Sequence, residues 1–107
     1  MNRQPEGLIN VLLDKTARED ERDDAAMDLA NYPTQAALKA LLQIAKNNSE
    51  EYIILSSSGE SIAKIWIQLN IFSIDDYKTL TSVARSEAFS VIKNNKSEWI
   101  DMFDLKE

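Results

Sequence analysis

The sequence predicts an all-α domain of five or six helices arranged as paired hairpins. Apolar residues recur at helical spacing through most of the chain, helix-start signals divide it, and a faint internal repeat relates its two halves. A length of 107 residues is enough for one domain with its own core, so residues 1–107 are expected to form a single unit. The predicted helices are 4–15, 18–31, 33–47, 50–69, 74–93 and 96–103.

Prolines and capping residues mark the expected helix starts. Pro5 lies at a first-turn position, where its missing N–H costs nothing, and Pro33 must separate two helices. Four pairs have the spacing of a capping box, in which a short polar side chain and a carboxylate three residues later satisfy the first backbone N–H groups. These pairs are Thr16–Glu19, Asn48–Glu51, Ser73–Asp76 and Asn95–Glu98.

The segment 64–72 (KIWIQLNIF) is open to two interpretations. Its isoleucines and leucine alternate and it is rich in β-branched and aromatic residues, which favours a strand. The same residues also continue a helical stripe through Ile62, Ile65, Trp66 and Leu69. We expect a helix that ends near Leu69, with a strand as the alternative.

The composition argues against several classes of function. The chain has no histidine and no cysteine, so it offers no Ser-His-Asp or Cys-His arrangement, no His/Cys zinc site and no disulfide framework. Twelve basic residues against 18 acidic ones give a net charge of −6, which disfavours nucleic acid as a partner. We therefore expect no enzyme activity, no cofactor and no bound metal.

No apolar stretch approaches the length of a membrane span, and the first apolar run is too short for a signal peptide. The expected location is the cytoplasm, without a membrane partner. The sequence leaves the oligomeric state open.

The internal repeat resembles a helical repeat of the HEAT type. Residues 25–30 (AAMDLA) align with 58–63 (SGESIA) at a spacing of 33. The resemblance depends on residues 23–30 (DDAAMDLA), on Pro33, and on residues 37–42 (ALKALL). It covers about residues 18–93 and implies stacked helical hairpins.

The second half is similar to small bacterial HEAT-like proteins of toxin-immunity loci, the contact-dependent growth inhibition immunity class. The similarity lies in residues 60–66 (ESIAKIW), 80–87 (LTSVARSE) and 97–100 (SEWI). It implies a short cytosolic protein that neutralises a cognate toxin domain, often a nuclease. A HEAT-like adapter that binds a host protein is the alternative, and a small carboxylate-based hydrolase is a third hypothesis.

Acidic residues are the expected partner contacts. Asp20, Asp24 and Asp28 lie on one helix face at i, i+4 and i+8, where like charges repel. A basic partner would offset that repulsion, as would the helix dipole for the first turn, and a metal is a further alternative. Glu50 and Glu51 open a later helix, and successive helix starts on one edge would form a shared negative rim.

Two tyrosines are the expected apolar anchors of that surface. Tyr32 lies beside a proline in a turn, and Tyr52 follows two glutamates, so both are expected to be exposed and ringed by polar groups. Trp66 and Trp99 are assigned to the core.

Overall fold

The regular elements of the protein are helices. The structure, a computed structural model, describes residues 3–107, and within that range there is no strand. The predicted all-α class is confirmed. The seven α-helices are α1 (Glu6–Leu13), α2 (Glu19–Asp28), α3 (Gln35–Ala45), α4 (Tyr52–Leu69), α5 (Ile74–Thr79), α6 (Ser82–Asn95) and α7 (Glu98–Met102), and a short 3-10 helix, Leu29–Asn31, continues α2.

Helix α4 lies at the centre and contacts α2, α3 and α6. Three polar side chains of α4 bond to α2 or to the 3-10 helix. The later the residue lies in α4, the later its bonding partner lies in the chain. α2 and α4 therefore run parallel. The bonds join Ser57 Oγ to the Asp23 carboxylate (2.5 Å), Ser61 Oγ to the Ala26 carbonyl (2.6 Å) and Gln68 Nε2 to the Ala30 carbonyl (2.8 Å).

The parallel pair agrees with the repeat seen in the sequence. The three bonded pairs are separated by 34, 35 and 38 residues, close to the repeat spacing. Stacking of two complete HEAT-like hairpins stays a prediction.

Close approach of α4 and α6 depends on a glycine. A Cβ atom at Gly59 would lie 2.2 Å from the backbone oxygen of Ala84 on α6. Ala84 and Ala88 are themselves fully buried, so small residues on both helices let the backbones meet. This contact positions α6 against the centre of the molecule.

An aromatic cluster closes the C-terminal end. The ring of Phe72 contacts those of Trp66, Tyr77, Trp99 and Phe103, with centroids between 4.7 and 5.8 Å apart. Both tryptophans are buried, which confirms their assignment to the core. The Tyr77 hydroxyl donates to the backbone oxygen of Lys106 at 2.5 Å, and burial raises the pKa of this hydroxyl to about 12.

The helix expected over 74–93 is wrong, because two helices occupy this segment. α5 ends at Thr79 and α6 begins at Ser82. Between them, the Thr81 hydroxyl accepts a hydrogen bond from the Ala84 N–H, and the Thr81 N–H donates to the Ala45 carbonyl of α3 at 2.9 Å. The long-range bond to α3 holds Thr81 in an extended conformation that interrupts the helix.

The ambiguous segment is helical up to Leu69, as expected, and the strand alternative is wrong. Asn70 ends α4 with a φ of 54°, in the left-handed region that asparagine tolerates.

One of the four predicted capping boxes is present in part. Ser73 accepts a hydrogen bond from the Asp76 N–H at 3.2 Å. Thr16, Asn48 and Asn95 do not cap a helix. The N-cap positions of α2, α4 and α7 are occupied by Arg18, Glu51 and Ser97 instead. The Thr16 hydroxyl bonds instead to the Asp14 carboxylate.

Candidate protein-binding surface

The solvent-facing side of α2 is acidic. Asp20, Asp24 and Asp28 are all exposed, one turn apart, as predicted. Asp20 pairs with Arg18 at 3.2 Å, but both side chains are more than two-thirds exposed, so the pair contributes little stability. Within residues 3–107, Asp24 and Asp28 have no ion-pair partner. These two carboxylates are available to a partner.

The parallel packing of α2 and α4 places both helix starts at the same end of the molecule. A shallow depression of about 400 Å³ lies between them, lined by Glu19, Asp20, Asp23, Asp24 and Ile53. The partial positive charges of the two helix N-termini add at this end, which favours carboxylates there. The acidic start of α2 and Ile53 at the start of α4 therefore share one rim.

Two exposed apolar side chains begin α4, and the second of them lines the depression. Tyr52 is 69% exposed and Ile53 is 46% exposed, at the first two positions of α4. Glu51, also exposed, precedes them and makes no side-chain cap. We call Asp20, Asp24, Asp28, Glu51, Tyr52 and Ile53 together the acidic surface.

The exposure of Ile53 was not predicted, although the sequence contains a pattern that indicates it. The run Tyr52–Leu55 has four apolar residues in succession, and a helix cannot turn four consecutive residues toward one core. Ile54 and Leu55 are the buried pair. The other two had to face solvent.

Tyr32 is not part of this cluster. It follows the 3-10 helix after α2, at the end of α2 opposite to Tyr52, and it is half-buried. Of the acidic residues in the acidic surface, Asp28 is the nearest to Tyr32 along the chain. The two predicted anchors therefore mark opposite ends of α2.

Glu50 is buried, which corrects the expectation of an exposed contact residue. Its two carboxylate oxygens accept from Arg22 Nη1 at 2.8 Å and Nη2 at 2.9 Å, and Lys15 Nζ lies 2.8 Å from Oε2. Arg22 Nε also donates to the Leu12 carbonyl at 2.9 Å. Arg22 thus joins the end of α1, the helix α2 and Glu50, which lies two residues before α4. We call Arg22, Glu50 and Lys15 the buried ion cluster.

Glu50 and Arg22 stay charged over the physiological range. The Arg22 hydrogen bonds, with help from Lys15, lower the pKa of Glu50 to about 2, although burial alone would raise it. The same contact raises the pKa of Arg22. A bidentate arginine–carboxylate pair of this kind fixes geometry as well as charge.

The acidic surface offers charge and apolar contact, which suits recognition of another macromolecule. Among residues 3–107, no group of three or more acidic side chains is arranged to hold a metal ion. In the same part of the chain, no helix is both long enough and apolar enough to cross a membrane.

Comparison with protein-family models, with curated proteins and with solved structures found no match to this chain.

Proposed function

We propose that this protein is a bacterial immunity protein that binds a cognate toxin domain and blocks its active site or substrate path. The observation that carries the proposal is the acidic surface, in which exposed Ile53 lies beside the carboxylates of α2 and exposed Tyr52 precedes it in the chain. The resemblance of the second half to HEAT-like immunity proteins supplies the class of partner. The protein would act as a stoichiometric inhibitor, with no chemistry of its own.

Charge complementarity favours a basic toxin domain, such as a nuclease. A nuclease binds phosphates through a cationic cleft, and successive carboxylates one helical turn apart would occupy the places of those phosphates. Such complementarity also accelerates encounter, to about 10⁸–10⁹ M⁻¹s⁻¹ at low ionic strength. A net charge of −6 adds a long-range attraction of the same sign.

Apolar contact would hold the complex once formed. Rim charges mainly affect the association rate, whereas aromatic residues that become buried at the centre of an interface slow dissociation. Ile53 lines the depression, and the neighbouring Tyr52 is the more exposed of the two side chains. We therefore assign anchoring to Tyr52 and Ile53, and steering to Asp20, Asp24 and Asp28.

The partner is identified by a native pull-down of tagged protein from its source cells, followed by mass spectrometry. One basic polypeptide at equal stoichiometry, released only by denaturant, supports the proposal and names the toxin. Several host proteins in substoichiometric amounts, lost at moderate salt, would refute it in favour of the adapter.

The acidic surface is then tested by double charge reversal, Asp24→Lys with Asp28→Lys. We expect the dissociation constant for the captured toxin to rise at least tenfold, about 1.4 kcal/mol, with loss of protection in cells. Asp101→Lys with Glu107→Lys is the matched control, since it changes the net charge equally at exposed positions on and after α7. Equal effects of the two double variants would mean that only net charge matters, and the acidic surface would not be the site.

A further inference from the structure

We propose that the boundary between α2 and α4 is a groove for one basic amphipathic helix of the partner, held by apolar contacts at both ends. This inference rests on the proposed function, because it describes how the partner of the acidic surface would bind. It adds a second contact region, an orientation and a length. The first end is the depression at Ile53 already described.

The second end is a larger groove where α2, α4 and α6 meet. It has a volume of about 460 Å³, and its apolar part is formed by Met27, Ala30, Ile67 and Val91. Met27 is 44% exposed, so nearly half of this large apolar side chain is in contact with solvent. The volume is sufficient for one or two apolar side chains of another molecule.

Helical spacing places the two ends on the same side of the molecule. On α4, the residues Ile53, Glu60, Lys64 and Ile67 follow one another at 7, 4 and 3 residues, which is one helix face. On α2, Asp20 and Met27 are seven residues apart and share a face in the same way. Since α2 and α4 run parallel, a partner helix that lies along their boundary would reach both depressions.

The length of the groove defines its occupant. Ile53 and Ile67 are 14 residues apart on α4, which corresponds to about 21 Å at 1.5 Å per residue. A partner helix would span this distance with two apolar residues that are also 14 positions apart, four turns along one face. An amphipathic helix in an apolar groove is a recurrent mode of recognition.

The charges along the groove favour a basic helix. Asp20 and Asp24 line the first end, and Lys64, a cation that lines the second end, is paired with Glu60 at 3.0 Å. Lysine or arginine residues of the partner near the first apolar position would therefore face carboxylates.

The polar groups of the second end point to the same occupant. Gln68 uses its amide nitrogen on the Ala30 and Lys64 carbonyls, and Asn95 uses its amide nitrogen on the Val91 carbonyl. The oxygens of both amides remain as acceptors beside the apolar floor. Acceptors at this position suit a partner that brings N–H donors.

The test uses two synthetic peptides of equal length, about 18 residues, and equal positive charge. One carries leucines 14 positions apart with lysines between them on the same face. The other carries leucines 6 positions apart, the spacing that would cover about 20 Å in an extended chain. Fluorescence anisotropy measures the dissociation constant of each at the same salt concentration.

We expect the helix-spaced peptide to bind at least tenfold more tightly, and Met27→Ala to remove that advantage. Met102→Ala is the matched control, because Met102 is also exposed but lies on α7. Equal binding of both peptides, tighter binding of the extended-spaced peptide, or no binding of either at about 1 mM would overturn the inference.

The same peptides distinguish failure of the groove from failure of the acidic surface. If Asp24→Lys with Asp28→Lys weakens both peptides equally while Met27→Ala changes neither, the acidic surface remains the site and only the helix groove is refuted. If the double reversal changes neither peptide, the acidic surface itself is refuted.

Discussion

Replacement of Glu50 by glutamine tests the buried ion cluster directly. Glu50 and Arg22 have side chains only 3% and 5% exposed, and the substitution leaves the guanidinium in place without its counter-charge. Breaking a buried pair by removing one partner costs about 3–5 kcal/mol. We therefore expect Glu50→Gln to lower the free energy of unfolding at pH 7 by that amount, measured by urea denaturation.

The pH dependence gives a second, independent magnitude. The pKa of Glu50 lies at about 2 in the folded protein and near its usual 4.5 in the unfolded chain. Below pH 4.5 the unfolded state binds the proton first, so the stabilisation is present above pH 4.5 and is lost as the pH falls toward 2. The full shift corresponds to about 3 kcal/mol, of which about 2 kcal/mol is lost between pH 7 and pH 3.

The assay is the difference between the wild type and Glu50→Gln at pH 7 and at pH 3. Other carboxylates, such as Asp14, titrate in both proteins and cancel in this difference. The difference should shrink by about 2 kcal/mol on acidification. A difference that does not change with pH, or one below about 1 kcal/mol at pH 7, would refute the reasoning.

Two further variants separate the pair from its surroundings. Lys15 is 60% exposed, so Lys15→Ala should cost less than about 1 kcal/mol. Arg22→Met combined with Glu50→Leu replaces both charges by apolar groups and should be more stable than Glu50→Gln alone. If the double replacement were the less stable of the two, the cost would not come from an unpaired buried charge.

The remaining predictions concern two adjacent positions of α4, where the same alanine should act in opposite directions in urea denaturation. Gly59→Ala should lower stability by about 2 kcal/mol, because overpacking against the Ala84 backbone costs about 3 kcal/mol and the better helix propensity returns about 1. Unchanged stability would contradict the close approach of α4 and α6. Ser58→Ala should raise stability by about 1 kcal/mol, because the Ser58 hydroxyl is fully buried and has no hydrogen-bond partner within residues 3–107. A loss of 1 kcal/mol or more would mean that this hydroxyl makes a bond.

The local pattern of the sequence was sufficient for most of the helices. The stripe through Ile62, Ile65 and Leu69 predicted α4 to its last residue, against the strand propensity of the same segment. Periodicity failed at Thr81, where the apolar spacing continues but the helix does not. The bond from the Thr81 N–H to Ala45 joins residues that are distant in sequence, whereas the N-cap that Thr81 gives to α6 is a local signal that the periodicity overrode.

The acidic surface was predicted in part. The exposed positions of Asp20, Asp24 and Asp28 follow from helical spacing alone, whereas Glu50 needed knowledge of its partner. A signal for that partner was available: Arg22 is the one basic residue of α2 and shares the apolar stripe of Ala25 and Leu29. A buried cation needs a carboxylate as its partner, but the sequence alone does not identify which carboxylate.

The buried ion cluster has a consequence for the entropy of binding. Arg22 joins α1 and α2 to Glu50, two residues before α4, so α2 and the start of α4 keep one relative arrangement before any partner arrives. A surface that is ordered in advance loses little conformational freedom on association, and most of the ordering cost falls on the partner. An arginine without direct contact to the partner would then contribute to affinity by keeping the recognition surface rigid.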